Sequence, residues 1–156
     1  MCVSGPTNSG NGYVDVGEGG SAFYTNGGIY LGVGNAGMLV TPSPDSQQNS
    51  ITASVSGNAD SIITVSSSDG TELVTFRAAK QFNIITVSHP DIKIGDKVTV
   101  YVDGTSVAEL ECTSVSTGGG NNGFGGMPGG MPGGMPGGQG GQGGKPSGGQ
   151  RPGQRV

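Results

Sequence analysis

GGIYLGVGNAGM, residues Gly27 to Met38, carries Gly32-x-Gly34-x-x-Gly37 directly after a short apolar run, the glycine spacing of a dinucleotide-binding loop. That spacing serves a nucleotide only if a helix follows, because the pyrophosphate rests on the exposed N–H groups of a helix N-terminus. The chain continues instead as MLVTPSPDSQQNS. Pro42 and Pro44 lack an N–H and push each preceding residue toward extended geometry, so no helix starts there and runs on. The glycines have another use, and the texture of the chain on either side shows which.

Upstream, VSGPTNSGNGYVDVGEGGSAFYTNGGIYLGVGNAG alternates small apolar bursts (13–16, 22–24, 29–33) with Gly, Asn and Ser at short intervals. This is the rhythm of short strands and tight turns. GEGGSAFY and TNGGIYLGV read as two successive coils of a solenoid. Downstream, from Asn49 to about Ser116, period-2 alternation takes over. Ile51, Ala53 and Val55 alternate with Thr52, Ser54 and Ser56. Ile63 and Val65 lead into Asp69-Gly70, and Val74 and Phe76 return from it; Val98, Val100 and Val102 lead into Asp103-Gly104, and Ala108, Leu110 and Cys112 return. Asp-Gly between alternating apolar residues is a hairpin signal, because both positions tolerate positive φ. The expected fold is all-β: the last coils of a right-handed parallel β-helix over 1–40, a Pro/Ser linker over 41–50 that is stiff and extended, a small antiparallel β-sandwich over 51–116, and a Gly/Met/Pro/Gln-rich tail over 117–156. In the tail MPGG recurs at Met127, Met131 and Met135 without collagen's triplet, a low-complexity composition that predicts disorder.

More than half of the 34 glycines follow Thr117, so the foldable part is about 117 residues; with no tryptophan its core has to come from Val, Ile and Leu. All 11 acids precede Gly118 and face only Arg77, Lys80, Lys93 and Lys97, which leaves the body near −7, while Lys145, Arg151 and Arg155 give the tail +3. An acidic body with no basic stripe argues against nucleic acid as a partner. No apolar run reaches membrane-spanning length, and Met1-Cys2 opens without the regions of a signal peptide. Cys2 and Cys112 are read as two unpaired thiols, with a disulfide as the alternative, and Cys112 falls on the apolar side of its strand.

The succession VSGPTNSGNGYVDVGEGG, TNGGIYLGVGNAGM, SPDSQQNSI and RAAKQFNIITVSHPDIKIGDKVTVYVDG resembles the C-terminal part of the clostridial carbohydrate-binding β-helix family. The resemblance spans about Val3 to Thr113. It implies secreted or cell-surface proteins whose parallel β-helix binds cellulose and acidic polysaccharides such as polygalacturonate, with bound calcium. In its light Gly32, Gly34 and Gly37 become corners of the last coil. Relatives carry many more coils before this point, so the chain is expected to be a fragment of a longer surface protein or a short version of it.

The residues favour binding over catalysis. Lyase chemistry needs a Lys or Arg base, and none precedes Arg77. A glycosidase needs two carboxylates flanking one glycosidic bond, about 5 to 9 Å apart. Asp15 and Glu18, the acids of the first 40 residues, sit at an odd offset that sends them to opposite faces of an extended chain. They are candidate calcium ligands together with nearby carbonyls, or else solvated or turn-capping acids. Tyr13, Tyr24 and Tyr30 are candidate platforms for a pyranose face, or else packing residues between coils, and Asn11 is a candidate donor to a sugar hydroxyl, or else part of an Asn ladder stabilising a solenoid turn. His89, before Pro90, is read as a surface residue at a strand end. The expected function is non-catalytic extracellular polysaccharide binding, with calcium as a possible cofactor; the alternative is a structural cap and tether of a surface solenoid. A polyuronate would be attracted to this acidic body either through calcium or through the cationic tail.

Overall fold

A computed structural model describes residues 1–8, 10–16 and 22–118. Among the described residues there are strands and turns and no helix, arranged in two sheets, neither of them closed.

Both Asp-Gly pairs turn hairpins. β4 (Ile62–Ser67) and β5 (Glu72–Arg77) pair antiparallel on either side of Asp69-Gly70, where Gly70 takes φ +86°. The Asp69 carboxylate closes the turn by accepting from the Ser67 hydroxyl and, at 2.9 Å, from the Thr71 N–H. β7 (Lys97–Val102) and β8 (Thr105–Glu111) meet at Asp103 (φ 50°) and Gly104 (φ 80°), the two left-handed positions that a two-residue hairpin requires. Asp103 also accepts from the Ile62 N–H at 2.8 Å and the Ser61 hydroxyl at 2.9 Å, so this turn is tied to the start of β4. β4 pairs with β7 as well, giving the order β5-β4-β7-β8. Alternation sends Ile63, Val65, Val74, Val98 and Val100 inward, and leaves Thr64 and Thr75 joined by an exposed 2.9 Å hydrogen bond on the outer face.

The other sheet draws on the whole described chain. β1 (Cys2–Ser4), β2 (Tyr30–Gly34), β3 (Ser50–Ala53), β6 (Ile84–Ser88) and β9 (Ser116–Thr117) lie in the order β1-β2-β6-β3-β9. β2, β6 and β3 are antiparallel neighbours, whereas β1 runs parallel to β2 and β9 parallel to β3. Leu31, Val33, Ile51, Ile85 and Val87 join the inward residues of the first sheet and the buried Cys112 in one core. Each fully buried aliphatic side chain in it contributes about 1.5–3 kcal/mol relative to exposure.

The far face of this sheet is buried too, which is why β2 and β6 have no exposed residue. Tyr13, Tyr30 and Ile84 form a second cluster there with Val3, Val14, Phe23 and Leu39. This arrangement corrects the reading of the glycines. Gly32 and Gly34 are strand residues of β2, not corners, and neither takes a positive φ. They are glycine because the Tyr13 ring lies flat on them: a Cβ at Gly34 would come 2.9 Å from Tyr13 Cδ1, and one at Gly32 would come 2.5 Å from Tyr30 Oη and as close to the Tyr13 ring. The Tyr13 hydroxyl then reaches over Gly32 to Thr86 Oγ1 at 2.5 Å, and Thr86 Oγ1 meets Thr52 Oγ1 at 2.7 Å. Gly32, Thr86 and Thr52 stand side by side in register across β2, β6 and β3, so the hydroxyls form one buried row. Burial raises the pKa of both tyrosines, and they stay neutral.

Residues 41–50, read as a stiff extended linker, form a strap pinned to 23–28. Ser43 N–H donates to Phe23 O at 2.7 Å, Thr25 N–H to Ser46 Oγ at 3.1 Å, Gln47 N–H to Asn26 Oδ1 at 3.0 Å and Gln48 N–H to Thr25 O at 2.8 Å. Ser and Gln satisfy backbone groups that Pro42 and Pro44 cannot place in a ladder.

Candidate functional site

Where β2 and β6 stop pairing, at Gly34 opposite Ile84, the next residue outward on each strand is an asparagine. Asn83 N–H continues the ladder by donating to Gly34 O at 2.8 Å. Its side-chain Oδ1 accepts from Ala36 N–H at 2.9 Å, and Asn35 Oδ1 accepts from Gly37 N–H at 3.0 Å. With both carbonyl oxygens occupied, what each amide offers outward is its Nδ2 donor pair; that orientation follows from the donor on the other side of each bond.

These two amides line a cavity of about 100 Å3 together with Thr7, Gln81 and Phe82. Phe82 is buried, and Gly57 and Phe82 exchange backbone hydrogen bonds of 3.0 and 3.1 Å in an isolated antiparallel bridge. Gly57 leaves the space that the Phe82 ring fills: a Cβ there would stand 2.5 Å from Phe82 Cε1. The result is a small polar pocket beside a fixed ring, with amide and hydroxyl groups at its rim and no ionisable side chain in its lining. Its lining offers hydrogen-bonding groups from Thr7, Asn35, Gln81 and Asn83.

The residues singled out from sequence fall elsewhere. Tyr13 (9% exposed) and Tyr30 (7%) are packing residues in this fold, their rings set against Gly32, Gly34 and the second cluster. Tyr30 packs edge-on to Phe23 at 5.2 Å, and its buried Oη has no hydrogen-bond partner among the described residues. Tyr24, 50% exposed, keeps an accessible ring, and Asn11 is exposed. Asp15 is exposed, and Glu18 lies outside the described residues. Among the described residues no three His, Cys, Asp or Glu side chains gather at one point. The +3 tail also lies outside the described residues. His89 is corrected from surface to interior: it is buried, and its Nδ1 accepts from Asp91 N–H at 3.2 Å. Cys2 and Cys112 are both free thiols.

Two features escaped the sequence reading. Asn35, Gln81 and Asn83 are amides just beyond the ends of paired strands, a signal visible only once β2 and β6 are known to be neighbours. Tyr101 is half-buried and falls between Val100 and Val102 on β7, so period-2 alternation alone puts its ring on the outer face.

A second, larger groove of about 340 Å3 carries Asp69, Asp91, Asp96 and Lys97. Hydrogen bonds from the Ser67 hydroxyl and the Thr71 N–H hold the Asp69 carboxyl down at about 2. Asp103 is held below its ordinary value by Ile62 N–H and then the Ser61 hydroxyl. A general acid needs its pKa moved the other way. No family model, curated protein or solved structure matches this chain.

Proposed function

We propose that the chain is a non-catalytic polysaccharide-binding module working outside the cell or at its surface, and that the amide-lined pocket is where it engages the glycan. The observation that carries this reading is the pair of amides, Asn35 and Asn83, whose carbonyl oxygens accept from backbone N–H groups and which line one pocket with Phe82. Preorganised neutral donors lose little entropy on binding and need no counter-charge, which fits an oxygen-rich polymer such as cellulose or a pectate-like chain.

The finer architecture belongs to the same proposal: terminal coils of a right-handed parallel β-helix leading into an antiparallel sandwich. The parallel β1–β2 pair and the parallel Phe23–Pro42 bridge support the first, and a core shared by both sheets supports the second. A second reading, a structural cap and tether of a surface solenoid, is favoured by β1 standing at the edge of its sheet parallel to β2, ready to continue a parallel stack.

Co-sedimentation with insoluble cellulose, with and without chelator, and with calcium pectate without it, separates the two on the wild type, Gln81→Ala and Asn83→Ala. Retention in the pellet that falls several-fold in both variants, with no release of unsaturated or reducing ends from polygalacturonate, is the expected result. Wild-type protein that stays in the supernatant on both polymers refutes glycan binding and leaves the cap.

A further inference from the structure

We propose that Asn26-Gly27 is a site of spontaneous deamidation built into the fold, and that the isoaspartate it forms unfastens the 41–50 strap. Three observations converge on it. Gly27 and Gly28 are exposed, with φ of +152° and +78° and open space where a Cβ would stand, so nothing restrains this peptide sterically. Gly27 N–H has no hydrogen-bond partner among the described residues, leaving the nitrogen available as a nucleophile. Asn26 Oδ1 accepts from Gln47 N–H at 3.0 Å, which polarises the amide carbonyl and places a donor where negative charge develops.

The chemistry needs only water and base. Gly27 N, losing its proton to solvent, bonds to Asn26 Cγ, and the tetrahedral oxyanion on Oδ1 is held by Gln47 N–H. Its collapse breaks the Cγ–Nδ2 bond and releases ammonia, leaving a cyclic imide. Water then opens the ring at either carbonyl: breaking N–Cγ gives an ordinary aspartate, and breaking the bond from N to the main-chain carbonyl gives isoaspartate. Nothing is oxidised or reduced, and either product adds one negative charge. The ordinary aspartate keeps an oxygen for Gln47 N–H. Isoaspartate adds a methylene to the main chain between two anchors of the strap, Thr25, which bonds Ser46 and Gln48, and Gly28 O, which accepts from Gln48 Nε2 at 2.6 Å. Both anchors then cannot be met at once.

Asn11-Gly12 is an internal control with the same dipeptide. Gly12 is buried, and a Cβ there would stand 2.6 Å from Leu39 Cα, so its peptide is clamped where that of Gly27 is open. At Asn35 and Asn83 the Oδ1 is also held, but Ala36 and Ile84 follow and their side chains crowd the attack.

The full chain is aged in warm, mildly alkaline buffer, folded and in urea, and deamidation is followed peptide by peptide by mass spectrometry. In the folded protein Asn26 should convert at least about tenfold faster than Asn11, a barrier difference of about 1.4 kcal/mol, and in urea the two should converge. The isoaspartate fraction, separated by ion exchange, should melt below the Asn26→Asp protein, which tracks the wild type. Equal rates at Asn26 and Asn11 in the folded chain would overturn the site. An isoaspartate form that melts with Asn26→Asp would overturn the unfastening.

Discussion

The buried hydroxyl row gives the sharpest quantitative handle on this fold. Thr86 is 1% exposed and its Oγ1 is the shared partner of the Tyr13 hydroxyl at 2.5 Å and the Thr52 hydroxyl at 2.7 Å. Thr86→Val keeps the shape of the side chain and strands both partners. Each hydroxyl left unsatisfied in the interior costs about 1–3 kcal/mol, partly offset because one fewer hydroxyl is desolvated, so the expected loss is about 2–4 kcal/mol. With an unfolding entropy of about 2.1 cal/mol/K per residue over the folded body, each kcal/mol lowers Tm by about 4 °C, and the variant should melt roughly 8–16 °C below the wild type. The triple variant Tyr13→Phe, Thr52→Val, Thr86→Val removes all three hydroxyls together and should return to within about 1 kcal/mol of the wild type, because replacing whole hydrogen-bonding groups by apolar ones of the same shape is nearly neutral. Urea denaturation and thermal melts read both. A Thr86→Val protein within about 0.5 kcal/mol of the wild type, or a triple variant as unstable as the single, refutes the row as a connected buried network.

Two further outcomes follow from the same geometry. Gly32→Ala should cost about 1–3 kcal/mol by urea denaturation, because its methyl has to displace the Tyr13 ring and Tyr30 Oη, whereas Gly10→Ala, with nothing within 4 Å of the new Cβ, should shift stability by less than about 0.5 kcal/mol. The Asp69 pKa sits at about 2 in the folded chain, below its unfolded value near 3.9, so its contribution to stability is present above about pH 4 and is lost as pH falls toward 2. Asp69→Asn should flatten that acid limb in melts recorded from pH 5 to pH 2, and an unchanged limb would count against the turn as its source.

Local chemistry made half of this protein legible. Asp69-Gly70 and Asp103-Gly104 state their turns because positive φ is a property of a dipeptide, and the strands beside them state their inward faces because one side of their sheet stays open to solvent. Pro42 and Pro44 excluded a nucleotide-binding helix for an equally local reason, the missing N–H. The central strand β6 is different. IITVS shows no alternation, since Ile85 and Val87 pack into one core while on the other face Ile84 and Thr86 meet the N-terminal segment and Ser88 bonds to Gln48 and Asn49. The pairings β1–β2 and β2–β6, the Tyr13 ring lying on Gly32 and Gly34, and the strap at 41–50 all join residues distant in sequence, and periodicity carries no information about which partner lies across a gap. The same is true of the candidate site. Asn35 and Asn83 are 48 residues apart and become neighbours only because β2 and β6 end in register. Sequence alone settled that the chain is all-β and where two of its hairpins turn; tertiary structure decided which tyrosines are used in packing and which amides are free to meet a ligand, because burial is a property of what packs on a residue and not of the residue itself.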